Sequence, residues 1–171
     1  RDGPAHLPTP APHGGAGRLR PPPPLPGTAA HHPLGADRLL VQSGSYLASE
    51  PSIDLDTRFG GGRTFFGGEG LFLLELAGSG PVFMSSYGAI ERIDLGADEH
   101  HTVDTGHVVA FEGSTGFDVR RVGGLKSTLL SGEGLVCRFT GPGSVWLQTR
   151  STDALLAWLI PNLPSNSGSG G

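Results

Sequence analysis

The sequence predicts an all-β fold: duplicated sandwich- or barrel-like units followed by one short C-terminal helix. Three observations predict it. One run of motifs is written twice in the same order. Short segments alternate apolar and polar residues between turn signals, the mark of a strand with one buried face. Glycine accounts for 29 of 171 residues, which suits many tight turns and bulges where a positive φ is needed.

Taken in chain order, the first element is a tail. Residues 1–33 hold 10 of the 15 prolines, including four in a row. Such a run favours extended polyproline II with a solvated backbone. It has no apolar alternation, and too little apolar surface to offset its ordering entropy. The chain opens on Arg, and its first residues form no signal-peptide apolar region, so a processed protein or a fragment is expected. The folded part spans residues 34–164, long enough to be stable without disulfide or metal. Residues 165–171, SNSGSGG, read as a flexible end.

The folded part divides into unit one, about 34–88, and unit two, about 95–150. LGAD occurs at Leu34–Asp37 and again at Leu95–Asp98. VQSGSYLASE at Val41–Glu50 matches VDTGHVVAFE at Val103–Glu112 as V-x-[S/T]-G-x-x-x-A-x-E. GGEGL is echoed by SGEGL, and GSG at 78–80 by GPG at 141–143. The offset is about 61 to 64 residues throughout, so the chain carries an internal duplication. Within each unit the segments read as strands. IDLDTRF alternates strictly, LFLLELA is a short apolar run bounded by glycines, LVCRF sets Leu135, Cys137 and Phe139 on one face, and SVWLQT is half apolar.

The glycine motifs are the candidate structural-turn residues: Gly68, Glu69, Gly70, Gly78 and Gly80 in unit one, and Gly132, Glu133, Gly134, Gly141 and Gly143 in unit two. GSG and GPG sit between apolar runs and read as hairpin turns. Glu69 and Glu133 read as acceptors for loop N–H groups, or partners of Arg63 and Lys126, because no acid, base or nucleophile recurs beside them to make catalytic carboxylates. After unit two, STDALLAWLIPNLP predicts a helix over about 152–160, capped by Ser151, Thr152 or Asp153 and ended by Pro161. Leu155, Leu156, Trp158, Leu159 and Ile160 make it apolar nearly all round, a face for the sheet or another subunit.

Few residues invite catalysis. His100 and His101 point to opposite faces of a strand, and on a regular strand His101 and His107 lie ~20 Å apart, too far to share a metal. The pair His31 and His32 falls in the tail. Cys137, the single cysteine, alternates with apolar neighbours and reads as a buried, inert thiol. It cannot form an internal disulfide, which fits a reducing, cytoplasmic setting. Gly60–Gly62 before Arg63 lacks P-loop spacing, and Ser43-Gly44-Ser45 lacks the hydrolase elbow. No catalytic, metal or cofactor residue is assigned.

Charge bounds the partners. Residues 34–164 hold 9 Lys+Arg and 15 Asp+Glu, a net of 9 − 15 = −6. Nucleic-acid binders carry a basic excess, because phosphate contacts dominate affinity. A patch of Arg120, Arg121 and Lys126 is the local exception. No apolar run approaches the ~20 residues that span a bilayer.

VQSGSYLASE, FFGGEGLFLLELAGSGPVFMSSYGAIERIDL, VDTGHVVAFE and LLSGEGLVCRFTGPGSVWLQTR together resemble the family called altered inheritance of mitochondria protein 24, in its bacterial branch, from about Leu34 to Arg150. The resemblance implies a fold like that of the tryptophan RNA-binding attenuator protein and a family without an established enzymatic activity. Its mitochondrial members are linked to inner-membrane organisation. Its bacterial members typically carry three copies of the unit about a pseudo-threefold axis, and this chain shows two. The expected function is a non-enzymatic, homo-oligomeric β scaffold or protein-interaction module. The alternatives are nucleic-acid binding, by fold analogy, and a cupin-like small-molecule binder.

Overall fold

The computed structural model describes residues 26–56, 71–121 and 135–163. They form strands β1 (Ala29–Leu34), β2 (Leu39–Gln42), β3 (Tyr46–Ser49), β4 (Asp54–Asp56), β5 (Leu73–Ala77), β6 (Gly80–Ser85), β7 (Ile90–Leu95), β8 (His100–Asp104), β9 (Val108–Glu112), β10 (Gly116–Arg121), β11 (Leu135–Thr140) and β12 (Gly143–Gln148). A 3-10 turn over Thr105–His107 separates β8 from β9, and helix α1 (Thr152–Asn162) follows β12. The motifs Gly68-Glu69-Gly70 and Gly132-Glu133-Gly134, with Arg63 and Lys126, lie outside the described residues, as do residues 1–25 and 164–171.

The duplication governs the architecture. The six strand starts of unit two follow those of unit one by 61, 61, 62, 62, 62 and 63 residues. Unit one contributes the strand orders β1-β6-β3 and β4-β5-β2, and unit two repeats both as β7-β12-β9 and β10-β11-β8. Registers repeat as well. Ala48 faces Phe83 and Ser49 faces Val82 in unit one; Ala110 faces Trp146 and Phe111 faces Val145 in unit two. Even the register shift beside Ala48 recurs beside Ala110.

The units are joined by hydrogen bonds between β2 and β9, antiparallel, with Leu39 facing Glu112, Leu40 facing Phe111 and Val41 facing Ala110. That pairing fuses two three-stranded sheets into one of six strands, β4-β5-β2-β9-β12-β7. All pairings in the sheets are antiparallel. Among the described residues no sheet closes on itself, so the units are packed sheets and not barrels.

The six-stranded sheet has apolar clusters on both faces. Leu39, Val41, Leu76, Val109 and Trp146 pack with Leu34, Tyr46, Val82 and Met84 of the β1-β6-β3 sheet. Leu40, Leu73, Phe111, Val145 and Leu147 pack with Cys137 and Phe139 of the β10-β11-β8 sheet. Burial on both faces explains the unbroken apolar runs Leu39-Leu40-Val41 and Val108-Val109-Ala110-Phe111, which an edge or one-faced strand would interrupt with polar residues.

Several boundaries move from the sequence reading. Residues Ala29–Pro33, assigned there to the tail, belong to β1, which pairs along β6 from Ala29–Ser85 to Leu34–Gly80. Pro33 is tolerated because β1 is an edge strand, where a missing N–H costs no ladder bond. Unit two likewise begins at β7, Ile90, and not near residue 95. The helix runs through Pro161 to Asn162, and its last turn is closed by Leu163 N–H to Ile160 O and Asn162 Nδ2 to Trp158 O.

GSG and GPG are not hairpin turns. β5 and β6 belong to different sheets, as do β11 and β12, so each glycine turn is a corner where the chain changes layer. Gly78, Gly80 and Gly143 have φ of 132°, 144° and 140°, open to glycine and strained for other residues. At Gly80 a Cβ would stand 2.8 Å from Glu50 Cβ. The corner therefore requires glycine for both its torsion and the close approach of the β3 end.

β1 is fastened by His32, whose ring lies 4.7 Å from that of Trp146. Burial lowers the His32 pKa below its ordinary 6.5, against the opposing pull of Glu112; Arg92 and His31 lower it further. The unfolded chain therefore binds the proton more readily than the folded one. Stability from this group is complete above 6.5 and is lost as pH falls from there through the lowered folded-state value. Melting temperature should drop as pH falls below 6.5, and His32→Phe should flatten that slope. An unchanged slope would mean that His32 is not what senses acid.

Candidate functional site

Four places could carry chemistry: the histidines and Cys137, a cavity between the units, the helix, and the strand edges. The histidines are separated. β8 ends at Asp104 and the 3-10 turn follows, so His101 and His107 do not share a strand. His100 Nδ1 lies 3.0 Å from Thr140 Oγ1, and His107 Nδ1 lies 2.7 Å from Gln148 O. Among the described residues no three His, Cys, Asp or Glu side chains gather as metal ligands. Cys137 is fully buried, and burial, aided by the Asp118 charge, pushes its thiol up to about 12. A thiol held neutral in this way is a poor nucleophile.

The cavity, about 340 Å³, opens between the two units. The β2–β3 turn lends Gln42 and Ser45, the end of β6 lends Ser85 and Tyr87, the 3-10 turn lends Thr105, and α1 lends Asp153. Gln148 ties its wall together: Oε1 accepts from Tyr87 N–H at 2.8 Å, and Nε2 donates to Gly106 O at 2.7 Å. The lining offers hydroxyls, carboxamides and one carboxylate, which are hydrogen-bonding groups and not a nucleophile–base pair. The sequence reading missed this cavity because its walls come from both units and no single stretch signals it. A second polar network wraps Trp146. The Arg92 guanidinium sits 5.4 Å from the indole and bonds Asp94, while Ser144 and then Arg92 hold the Asp94 carboxyl below its usual range.

The helix is capped as its sequence suggests, with Ser151 Oγ accepting from Ala154 N–H at 3.2 Å. Leu155 and Leu159 are half-buried. Leu156, Trp158 and Ile160 remain 42%, 66% and 62% exposed, so among the described residues the helix keeps apolar surface uncovered. No helix among the described residues is long and apolar enough to cross a membrane.

The edges differ in a systematic way. Four outer edges are blunted: β1 contains Pro33, β4 has Asp54 and Asp56, β7 has Glu91, Arg92 and Asp94, and β10 has Asp118 and Arg120. Charge and proline are the usual guards against stray pairing. Among the described residues the other two edges are β3 and β8. β3 reads Tyr-Leu-Ala-Ser, without charge or proline, and β8 carries one carboxylate, Asp104, at its end. These two are also the counterparts of β9 and β2, the strands that join the units.

Comparison with known proteins agrees with this frame. An uncharacterized protein of Streptococcus pyogenes serotype M6 is 30% identical over 155 residues, covering 90% of this chain and 62% of its own length. A crystal structure of a Streptococcus pyogenes protein, from a structural genomics consortium, superposes with a TM-score of 0.68 at 27% identity, covering 82% of this chain and 62% of that one. The chain thus spans less than two-thirds of the length of either relative. The model of the family described as Mitochondrial biogenesis AIM24 matches residues 5–150, both repeated units included. With its duplicated sheets, its shared motifs and that match, the chain belongs to the Mitochondrial biogenesis AIM24 family.

Proposed function

We propose that this protein is a non-enzymatic β scaffold that assembles through its strand edges, with β3 and β8 as the assembling elements. The observation that carries the reading is the β2–β9 junction. One unit already docks on the next by antiparallel strand pairing, and among the described residues the strands equivalent to that pair are the two edges with no proline and at most one carboxylate. Edge pairing supplies affinity through main-chain hydrogen bonds, so it needs no catalytic constellation. The exposed Leu156, Trp158 and Ile160 add apolar surface suited to the same assembly. The reading assigns the scaffold a cytoplasmic setting, in keeping with its single buried thiol.

Light scattering on the full chain at micromolar concentration tests it. The expected mass is a multiple of 17.6 kDa. A clean monomer at that concentration would remove the reading.

A further inference from the structure

We infer that β8 of one copy of this chain pairs antiparallel with β3 of a second copy, in the register of the internal junction: His101 facing Glu50, Thr102 facing Ser49, and Val103 facing Ala48. The inference rests on the proposed self-assembly and specifies its contact.

The register follows from the repeat. β2 pairs with β5 as β8 pairs with β11: Leu39 on Leu76 corresponds to His101 on Phe139, and Val41 on Leu74 to Val103 on Cys137. β3 pairs with β6 as β9 pairs with β12, so Ala48, Ser49 and Glu50 occupy the places of Ala110, Phe111 and Glu112. At the junction Leu39 faces Glu112, Leu40 faces Phe111 and Val41 faces Ala110. Carrying that pairing to the two free edges gives the three facing pairs above.

The side chains at these positions have changed in a complementary way. Glu112 is committed within unit two, where Oε2 accepts from Ser144 N–H at 3.0 Å. Glu50 has no such donor, because the residue equivalent to Ser144 is Pro81, which carries no N–H. Among the described residues the Glu50 carboxylate makes no hydrogen bond or ion pair, and it is exposed. Opposite it, the apolar Leu39 of the junction is replaced by the half-exposed His101. An imidazole thus meets a carboxylate, a hydroxyl meets a hydroxyl, and an apolar side chain meets an apolar one. Opposite and hydroxyl pairs across strands favour pairing, and like charges oppose it. The contact is head-to-tail, since each copy offers one β8 and one β3, so association can continue around a ring or along a filament.

Charge exchange on the full chain tests both the partner and the polarity. His101→Glu sets two carboxylates face to face, and Glu50→Lys sets a cation against His101. Each variant alone should dissociate severalfold more readily by sedimentation. An equal mixture of the two should regain wild-type association. In an alternating assembly half of the contacts then pair the native His101 with the native Glu50, and the other half pair the introduced carboxylate with the introduced ammonium. In parallel, the double variant Thr102→Cys, Ser49→Cys should form intermolecular disulfides under mild oxidation, while Thr102→Cys with Leu47→Cys should not. Oligomers that persist without rescue on mixing and without the Thr102–Ser49 cross-link would overturn this contact and leave the scaffold reading standing. A wild-type monomer would overturn both.

Discussion

Replacing Phe111 with alanine should lower the free energy of unfolding by about 3–5 kcal/mol. Phe111 lies on β9, is fully buried, and is paired on both sides, with Leu40 across the unit junction and Val145 within unit two. Its ring centroid stands 4.8 Å from Phe117 and 5.1 Å from Phe139, so it links the six-stranded sheet to the β10-β11-β8 sheet. Truncation removes the transfer free energy of the ring and opens a cavity between strands held in ladders on both sides, where collapse is limited. Phe83→Ala is the control, because Phe83 is 42% exposed. Urea unfolding of the two variants decides the matter, and a loss below about 1 kcal/mol for Phe111→Ala would show that the layers are not held there.

The second large effect is expected at a corner. Gly143→Ala should cost about 1–3 kcal/mol, with the clash placing it at the upper end. The residue has φ of 140°. A Cβ there would overlap Thr115 Oγ1 and stand 2.8 Å from Ser114 Oγ. Thr115 is itself buried, so it has little room to withdraw. Gly35→Ala provides the contrast, since among the described residues no atom beyond its chain neighbours lies within 4 Å of its added methyl. Thermal melts of the pair should separate torsional strain from the loss of a glycine as such. Equal melting temperatures would refute the corner's requirement.

The duplication and its strands were legible because each motif sits at a turn or a strand end and keeps its offset. Other features were hidden for reasons of physics. GSG and GPG look the same whether the flanking strands pair or part, because a tight glycine turn fixes local direction and not the identity of neighbours. β1 was hidden by composition: Ala29–Leu34 contains two histidines and a proline, and only its pairing with β6 and the seat of His32 on Trp146 reveal it as a strand. The helix was legible to its cap, yet Pro161 ended it later than expected, because the last turn makes bonds that do not need its N–H. The candidate edges were invisible in the linear chain. Tyr46–Ser49 and His100–Asp104 acquire meaning only beside β9 and β2, their paired counterparts. The cavity between the units is hidden for the same reason.

The join between β2 and β9 also gives the molecule a direction. Twin halves related by a twofold rotation would spend identical surfaces on each other and leave the pair closed. Here the donor surface of one half meets the acceptor surface of the next, so the leading end and the trailing end remain unlike. A gene for such a unit can be copied in tandem without inventing a new contact, because every added copy reuses the one already encoded.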